Sequence, residues 1–293
     1  MLANVLIVVV TYNRKELLKE CMEALSAQSY QDCAILVVDN ASTDGTLEEI
    51  EKYIDHQKVH YFNTGENLGG AGGFNYGLKK AVELGSQYVW LMDDDTITKE
   101  DALEKLVSFA KEKNNTFGFL AGKVLWKDGS ICEMNIPRVT MTKNLKEFDQ
   151  PTMVFMSSFV SLFLKTDTIK EVGYPIKEFF IWTDDWEYTR RISMKYPCYF
   201  VPSSVVVHKT KNKQGAKIAS ATKEQLSRFS YLYRNDVYLY RREGLKGYLY
   251  LFARVLLHSL RVLASKSSNK KEKIATIINA TKEGFAFHPN IES

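Results

Sequence analysis

"YVWLMDDDTIT" (residues 88–98) sets an apolar run directly against three consecutive carboxylates. Tyr-Val-Trp-Leu-Met has the composition of a strand buried on both faces, the kind found in parallel sheets covered by helices. Three adjacent negative charges repel one another, so something must offset them at the strand end. Along an extended backbone side chains alternate, which predicts Asp93 and Asp95 on one side and Asp94 on the other. Two converging carboxylates suit a hard divalent cation, Mn2+ or Mg2+. A polar loop that solvates the strand end or caps the next helix is the simpler account of one isolated acidic cluster. The choice rests on the rest of the chain.

Toward the N-terminus the pattern alternates. Strands are expected at 5–10, 33–40, 59–63 and 88–93, with helices at 14–28, 46–55 and 73–85 between them. Short apolar strands separated by helices of about ten to fifteen residues predict an α/β fold with a mostly parallel sheet flanked by helices. Ligands bind such sheets beyond the carboxyl ends of the strands. That is where the polar motifs fall: "TYNR" (11–14), "DNASTDGT" (39–46), "NTGENLGGAGG" (63–73) and "DDD" (93–95). Four motifs on one rim point to one site.

Beyond residue 100 a helix is expected at 99–113 and a strand at 117–126, then a loop or short hairpin over 127–150. A strand follows at 152–166, a helix at 167–173, a helix at 183–195 whose Asp184-x-x-Glu187 spacing is that of a capping box, and a final strand ending at His208. The expected organisation is one domain over 1–215, in two parts of about 1–97 and 98–215, with a helical extension over 216–293.

A length of 293 residues with 45% apolar and 12% aromatic residues is enough for a substantial core. The first apolar run has no basic region before it and no small-residue cleavage site after it, so it reads as a strand and not as a signal peptide. Cys21, Cys33, Cys132 and Cys198 form no C-x-x-C pair, as expected of reduced thiols in a cytoplasmic protein and not of a zinc cluster or disulfide framework. The net charge of +4 is unevenly spread. Residues 209–293 hold 17 Lys and Arg against 6 Asp and Glu, a net +11, which leaves the first 208 residues at −7.

A basic tail could meet nucleic acid, an anionic membrane surface or a phosphorylated lipid, and solvated helix faces account for it as well. From about 220 the tail interleaves aromatic and aliphatic residues with Arg234, Arg241, Arg242, Lys246, Arg254 and Arg261. Charges this frequent do not suit a bilayer span over 245–263. Two readings stand: residues 220–265 lie in the interface of an anionic membrane, or they form a helical hairpin packed on the catalytic domain or on a partner copy in a homodimer. No nucleic-acid partner is expected.

Several phosphate-handling classes fit badly. There is no G-x-x-x-x-G-K-[ST], and "TYNRKE" after the first strand has no glycine, which argues against P-loop and Rossmann enzymes. The same lack of a basic Gly-rich loop argues against a nucleotidyltransferase. "NLGGAGGFNYG" (67–77) lacks the G-x-G-x-x-G spacing; its glycines let backbone approach a sugar or pyrophosphate, or they form a structural turn.

In order, "VVVTYNR", "VVDNASTDGT", "NLGGAGGFNYG", "WLMDDDTIT", "VGYPIKEFFIWTDDWEYTRRI" and "VVVHK" resemble a family 2 inverting glycosyltransferase of GT-A fold, within it the galactofuranosyltransferases and rhamnosyltransferases of bacterial surface polysaccharides. The likeness runs over roughly residues 3–210, and "YLYRND" (231–236) resembles an aromatic-x-x-Arg-Asn element common in that group. It implies that residues 1–215 are a GT-A catalytic domain, nucleotide-sugar half about 1–97 and acceptor half about 98–215, of a metal-dependent hexosyltransferase taking a UDP- or dTDP-sugar donor, galactofuranose or rhamnose, and a glycan or lipid-linked glycan acceptor. The expected location is cytoplasmic, peripheral at the inner face of the plasma membrane. A non-catalytic sugar-binding homologue would have little use for both "DDD" and "TDDWEY".

The resemblance also implies roles. Thr11, Tyr12, Asn13, Arg14, Asp39, Asn40, Asn67, Gly69, Gly70, Gly73 and Asp94 bind the donor, with Asp39 accepting the base N3 hydrogen while also opening an Asx turn. Asp93, Asp95 and His208 hold the cation. Asp185 is the base, with Asp184 beside it on the acceptor, both kept ionised by a helix N-terminus. Trp182 and Trp186 pack on acceptor sugars or belong to the core.

Overall fold

A computed structural model describes residues 3–54 and 58–293. The chain runs β1 (Val5–Thr11), α1 (Lys15–Ser26), β2 (Cys33–Asp39), α2 (Thr46–Ile50), β3 (Val59–Asn63), α3 (Gly69–Leu84), β4 (Tyr88–Asp93), β5 (Thr96–Thr98) and α4 (Ala102–Glu112). It continues through β6 (Phe119–Trp126), β7 (Thr152–Met153), β8 (Leu162–Lys165), α5 (Thr166–Val172), α6 (Asp184–Ser193), β9 (Tyr199–His208), α7 (Leu226–Arg241), α8 (Gly244–Ala264) and α9 (Lys270–Ala286).

The sheet order is β3-β2-β1-β4-β8-β6-β9-β5, with β7 on β9. The first four strands pair in parallel, as does β6 with β9. β8 runs antiparallel between β4 and β6, and β5 and β7 run antiparallel to β9. Parallel pairing therefore dominates the N-terminal half, and the sheet as a whole is mixed. Along β1, Val5, Ile7 and Val9 face one core with α1 and α4, while Leu6, Val8 and Val10 face the other with α3, α5 and α6. Each such side chain contributes about 1.5–3 kcal/mol by leaving water, which is why the run is apolar throughout.

Several expected elements differ. The helix expected at 46–55 ends as α2 at Ile50 with a 3-10 turn over Glu51–Tyr53, and Asp55 lies outside the described residues. α3 begins at Gly69, four residues before the expected start. The strand expected at 152–166 is two short strands, because Ser157 N bonds the Thr189 hydroxyl instead of a neighbouring strand and Ser161 turns at φ 59. β5 was not anticipated: three residues are too few for periodicity to register. The capping box does not form, since Glu187 instead binds Arg191 on its own helix and Arg242 beyond α7. The four cysteines are free thiols.

α7, α8 and α9 pack against the rest of the fold and on one another around Phe229, Tyr233, Val262 and Ile277, and around Val237, Tyr240 and Leu251 with Met156.

Candidate active site

The site lies where β1, β2 and β4 end. The parallel register places Thr11 beside Asp39 and Val10 beside Asp93, so three polar strand ends meet at one level. After Asp93 the chain turns through Asp94 and Asp95 into β5, whose antiparallel register sets Thr96 opposite His208. That ladder brings a histidine 113 positions away onto the carboxylates.

The triplet is sorted. Asp94 turns to the first loop, accepting from the Thr11 hydroxyl (2.8 Å) and from Arg14 Nη1 (3.2 Å). Asp93, Asp95 and His208 converge instead, their ligating atoms all within 4.8 Å of one another. Arg14 also reaches Asp95 Oδ2 at 2.9 Å, bridging the two sides. Burial pushes Asp94 up to about 7 despite Arg14. Burial would also raise Asp95, but His208 and Arg14 more than offset it and hold it below the usual range. Burial likewise opposes charge on His208, yet Asp95 and Cys132 carry the imidazolium up to about 10.

Two features fit this trio to a cation. His208 Nε2 stands 2.9 Å from Asp95 Oδ1, but that buried oxygen makes no hydrogen bond of proper geometry, as when two ligands face a common centre. Two carboxylates and an imidazole also suit Mn2+, and Mg2+ through the oxygens. Sequence reasoning missed Asn135, which orients the ring. Its amide nitrogen donates to Ser158 (2.9 Å), so its oxygen accepts from His208 Nδ1 (2.8 Å) and leaves Nε2 facing Asp95. No motif marks an asparagine in a short 3-10 turn (Glu133–Asn135) 73 residues away.

The loops after β1 and β2 are joined. Asn13, at φ 52, donates its N–H to Ser42 Oγ (2.8 Å) and accepts from Thr43 N (2.7 Å). Asp39 accepts from Ser42 N (2.9 Å) and from the Tyr61 hydroxyl (2.6 Å), so its side chain closes the loop at "DNAS" three residues on, one residue wider than the expected Asx turn. Tyr12 is exposed at 43%. Asn40 donates to Gly69 O (3.0 Å) while its own oxygen is buried without a partner. Asn67 accepts from Gly69 N at 2.9 Å.

The glycines have unequal reasons. At Gly73 a Cβ would come 2.5 Å from Val10 Cγ1, so that glycine seats α3 on β1. Gly69, at φ +69, underlies the Phe180 carbonyl. Gly70 faces open space. Of the three, only Gly70 retains the ligand-approach explanation.

Asp184 and Asp185 open α6 across the rim from Asp93. Burial pushes Asp184 up to about 7, with Asp93 adding to it, and Asp185 is raised well above the aspartate range by burial, then by Asp184 and Asp93. The expectation that the helix N-terminus keeps both ionised is therefore corrected: desolvation and like charge outweigh the half-charge of a helix end, although Trp186 N does donate to Asp185 Oδ1 at 2.7 Å. Trp182 packs edge-on against Phe229 of α7 at 5.0 Å, and Trp186 lies under the Arg138 guanidinium at 4.4 Å.

Comparison with known proteins gives the family and the fold. The "Glycosyl transferase family 2" model matches residues 6–165, more than half of the chain. Among curated relatives, the galactofuranosyltransferase GlfT1 of Mycolicibacterium smegmatis is 25% identical over 83% of this chain and 84% of its own, and the dTDP-rhamnosyl transferase RfbF of Shigella flexneri 27% over 97% and 96%. The putative teichuronic acid biosynthesis glycosyltransferase TuaG of Bacillus subtilis is 30% identical over 41% of this chain, which spans about half (47%) of TuaG's length. The crystal structure of GalNAc-T7 with UDP, GalNAc and Mn2+ superimposes with a TM-score of 0.65 at 15% identity, covering 97% of this chain and 56% of that one, a likeness of fold. With the first strand, the loops after β1, β2 and β3 and the carboxylate-ended fourth strand all inside the matched residues, the chain belongs to glycosyl transferase family 2.

Proposed function

We propose that the protein is an inverting glycosyltransferase that moves galactofuranose from UDP-galactofuranose onto a lipid-linked glycan acceptor in cell-surface polysaccharide synthesis, at the cytoplasmic face of the membrane. The observation that carries it is the convergence of two carboxyl groups, Asp93 and Asp95, with His208 on one side of the rim and of Asp184 and Asp185 on the other. Asp185, as carboxylate, accepts the acceptor hydroxyl proton while that oxygen bonds to the anomeric carbon; the bond from that carbon to the diphosphate oxygen breaks and its electron pair leaves with the nucleotide. Asp93, Asp95 and His208 would hold Mn2+ or Mg2+, which when bound neutralises charge on the leaving diphosphate. Its raised pKa makes Asp185 a stronger base than an ordinary aspartate. Asp184 orients the acceptor hydroxyl, and Thr11, Asp39 and Arg14 hold the nucleotide.

Rhamnose from dTDP-rhamnose is the second reading, supported by the near full-length likeness to RfbF. Incubating the purified protein with Mn2+ and a panel of nucleotide sugars, and measuring hydrolysis and transfer, separates the two. Turnover of neither donor would sink both.

The extension supports the membrane. α8 is long and apolar enough to cross a bilayer by length and composition, but Arg254 is tied into the fold by Asp236 at 2.8 Å. Its inner face packs on the protein through Gly247, Leu251 and Val262. Its outer face carries Leu245, Leu249, Phe252, Leu256, Leu260 and Leu263, all exposed. These positions lie on one stripe of about 27 Å, at 1.5 Å per residue. Exposed Lys246, Arg261, Lys266 and Lys271 flank it, so the surface fits an anionic interface better than a neutral partner. Binding to anionic vesicles should weaken with salt and fall at least about tenfold when Leu249 and Leu256 become Glu, a loss of roughly 1.4 kcal/mol or more.

A further inference from the structure

The residues between the two halves of the site adopt an improbable backbone. Phe180 sits at φ 61 and ψ −57, and Ile181 N bonds the Phe179 carbonyl across it at 2.7 Å. This is a γ-turn of the rare positive-φ form. Trp182 (φ 66) and Thr183 (φ 68) follow, both non-glycine at positive φ, and Asp184 and Asp185 come next. Such conformations persist only where their surroundings over-determine them.

The surroundings are three consecutive residues of α7. Arg234 Nη2 donates to the Glu178 carbonyl at 2.5 Å. Asn235, fully buried, donates from its one amide nitrogen to the carbonyls of Phe179 (2.9 Å), Ile181 (3.3 Å) and Trp182 (3.0 Å), while its oxygen accepts from Arg234. Asp236 accepts the Thr183 hydroxyl at 3.0 Å on one oxygen and Arg254 of α8 at 2.8 Å on the other. The carbonyl left over, Phe180, accepts Ala71 N at 3.1 Å above Gly69, where any side chain would collide with it. The loop is thus held on one side by the extension and on the other by the first turn of the donor-side helix.

We infer that Arg234, Asn235 and Asp236 are positioning residues that set Asp184 and Asp185 against the donor site by clamping the strained loop 178–183. Neither the clamp nor the acid pair lies within the matched residues 6–165, so the extension completes the site instead of merely covering it. Through Arg254 the clamp also reaches the helix whose outer face is the leucine stripe. The inference rests on the reading of Asp185 as the base.

Its test uses the full chain with three variants. Thr183→Val deletes only the hydroxyl that Asp236 holds, Thr183→Ser keeps it, and Asn235→Ala opens the clamp. With the donor that the wild type hydrolyses in the panel, Thr183→Val is expected to lower kcat about 10- to 100-fold, while KM and UDP affinity in Mn2+ stay within about twofold and Thr183→Ser matches the wild type. Amide exchange over 179–186 should speed at least about tenfold in Asn235→Ala; if that variant does not fold, the same reading is taken on Thr183→Val. Unchanged kcat in folded Thr183→Val overturns the clamp, and so does unchanged exchange in the folded variants or a parallel loss of UDP affinity. Asp185→Asn, measured beside them, keeps the two readings apart: an active Asp185→Asn refutes the base, whereas an inactive one with a fully active Thr183→Val refutes only the clamp.

Discussion

Gly69 and Gly70 are adjacent in the chain and in the first turn of α3, yet replacing each by alanine should have opposite consequences. At Gly69 the backbone is at φ +69, and a Cβ would stand 2.8 Å from the Phe180 carbonyl carbon and closer still to its oxygen. The left-handed conformation costs a non-glycine residue about 1–2 kcal/mol, and forcing an atom into packed backbone costs about 1–3 more. The carbonyl cannot swing away, because it already accepts Ala71 N. The sum is about 2–5 kcal/mol. A chain of 293 residues unfolds with an entropy of roughly 0.6 kcal/mol per degree at about 2.1 cal/mol/K per residue. Gly69→Ala should therefore lower Tm by about 3–8 °C. Gly70 has no positive φ and a Cβ there would meet nothing within 4 Å beyond its own helix backbone, so Gly70→Ala should leave Tm level or raise it slightly, since alanine favours helix by up to about 1 kcal/mol. If donor approaches there, UDP affinity in Mn2+ falls all the same. Differential scanning fluorimetry and calorimetric titration read the two effects. A Gly69→Ala protein melting within about 1 °C of wild type would refute the steric reasoning, and matching Tm losses in both variants would refute the distinction.

Replacing Asp185 by Asn should reduce transfer by about 10²–10⁴-fold while UDP binding in Mn2+ persists; turnover near the wild-type rate removes Asp185 from the chemistry. Because burial and the neighbouring Asp184 hold Asp185 well above the usual range, and only the carboxylate accepts a proton, kcat/KM should fall tenfold per pH unit on the acid side, from an inflection well above about 4. An inflection at the ordinary aspartate value contradicts this. Asp184, pushed up to about 7, is neutral in the folded metal-free protein at low pH, so its contribution is present below the unfolded value and is lost as pH rises through about 7. With EDTA, Asp184→Asn should then raise Tm more at pH 8 than at pH 5, and an equal gain at both pH values argues against the assignment. Asn135→Ala should weaken Mn2+ binding about 10- to 100-fold, as loss of an outer partner of a ligand does; titration followed by the EPR signal of free Mn2+ decides it, and unchanged affinity means the histidine needs no orienting partner.

Much of the first half was legible because its signals are local. Strand and helix periodicity, a strand ending in acids and the order of polar motifs along one rim depend on neighbours within a few positions. The split of the triplet into Asp93 with Asp95 and Asp94 apart followed from alternation, although the chain turns there and does not stay extended. The gaps share a cause. α3 starts at Gly69 because Asn40, Asn67 and Phe180 close around it, against the low helix propensity of glycine. β7 and β8 separate because a threonine from α6 takes the backbone bond a strand would need.

By itself the sequence determined an α/β chain with polar loops on one rim, acids at the end of its fourth strand, and a basic, aromatic helical tail. Tertiary structure alone decided that the acid pair at α6 carries raised pKa values, that Asn135 turns His208 toward Asp95, and that α7 clamps the loop between the two halves of the site. The reason is physical. Desolvation is a property of everything packed around a group, and side-chain bonds to distant carbonyls leave no period in the sequence, so neither can be read from residue order.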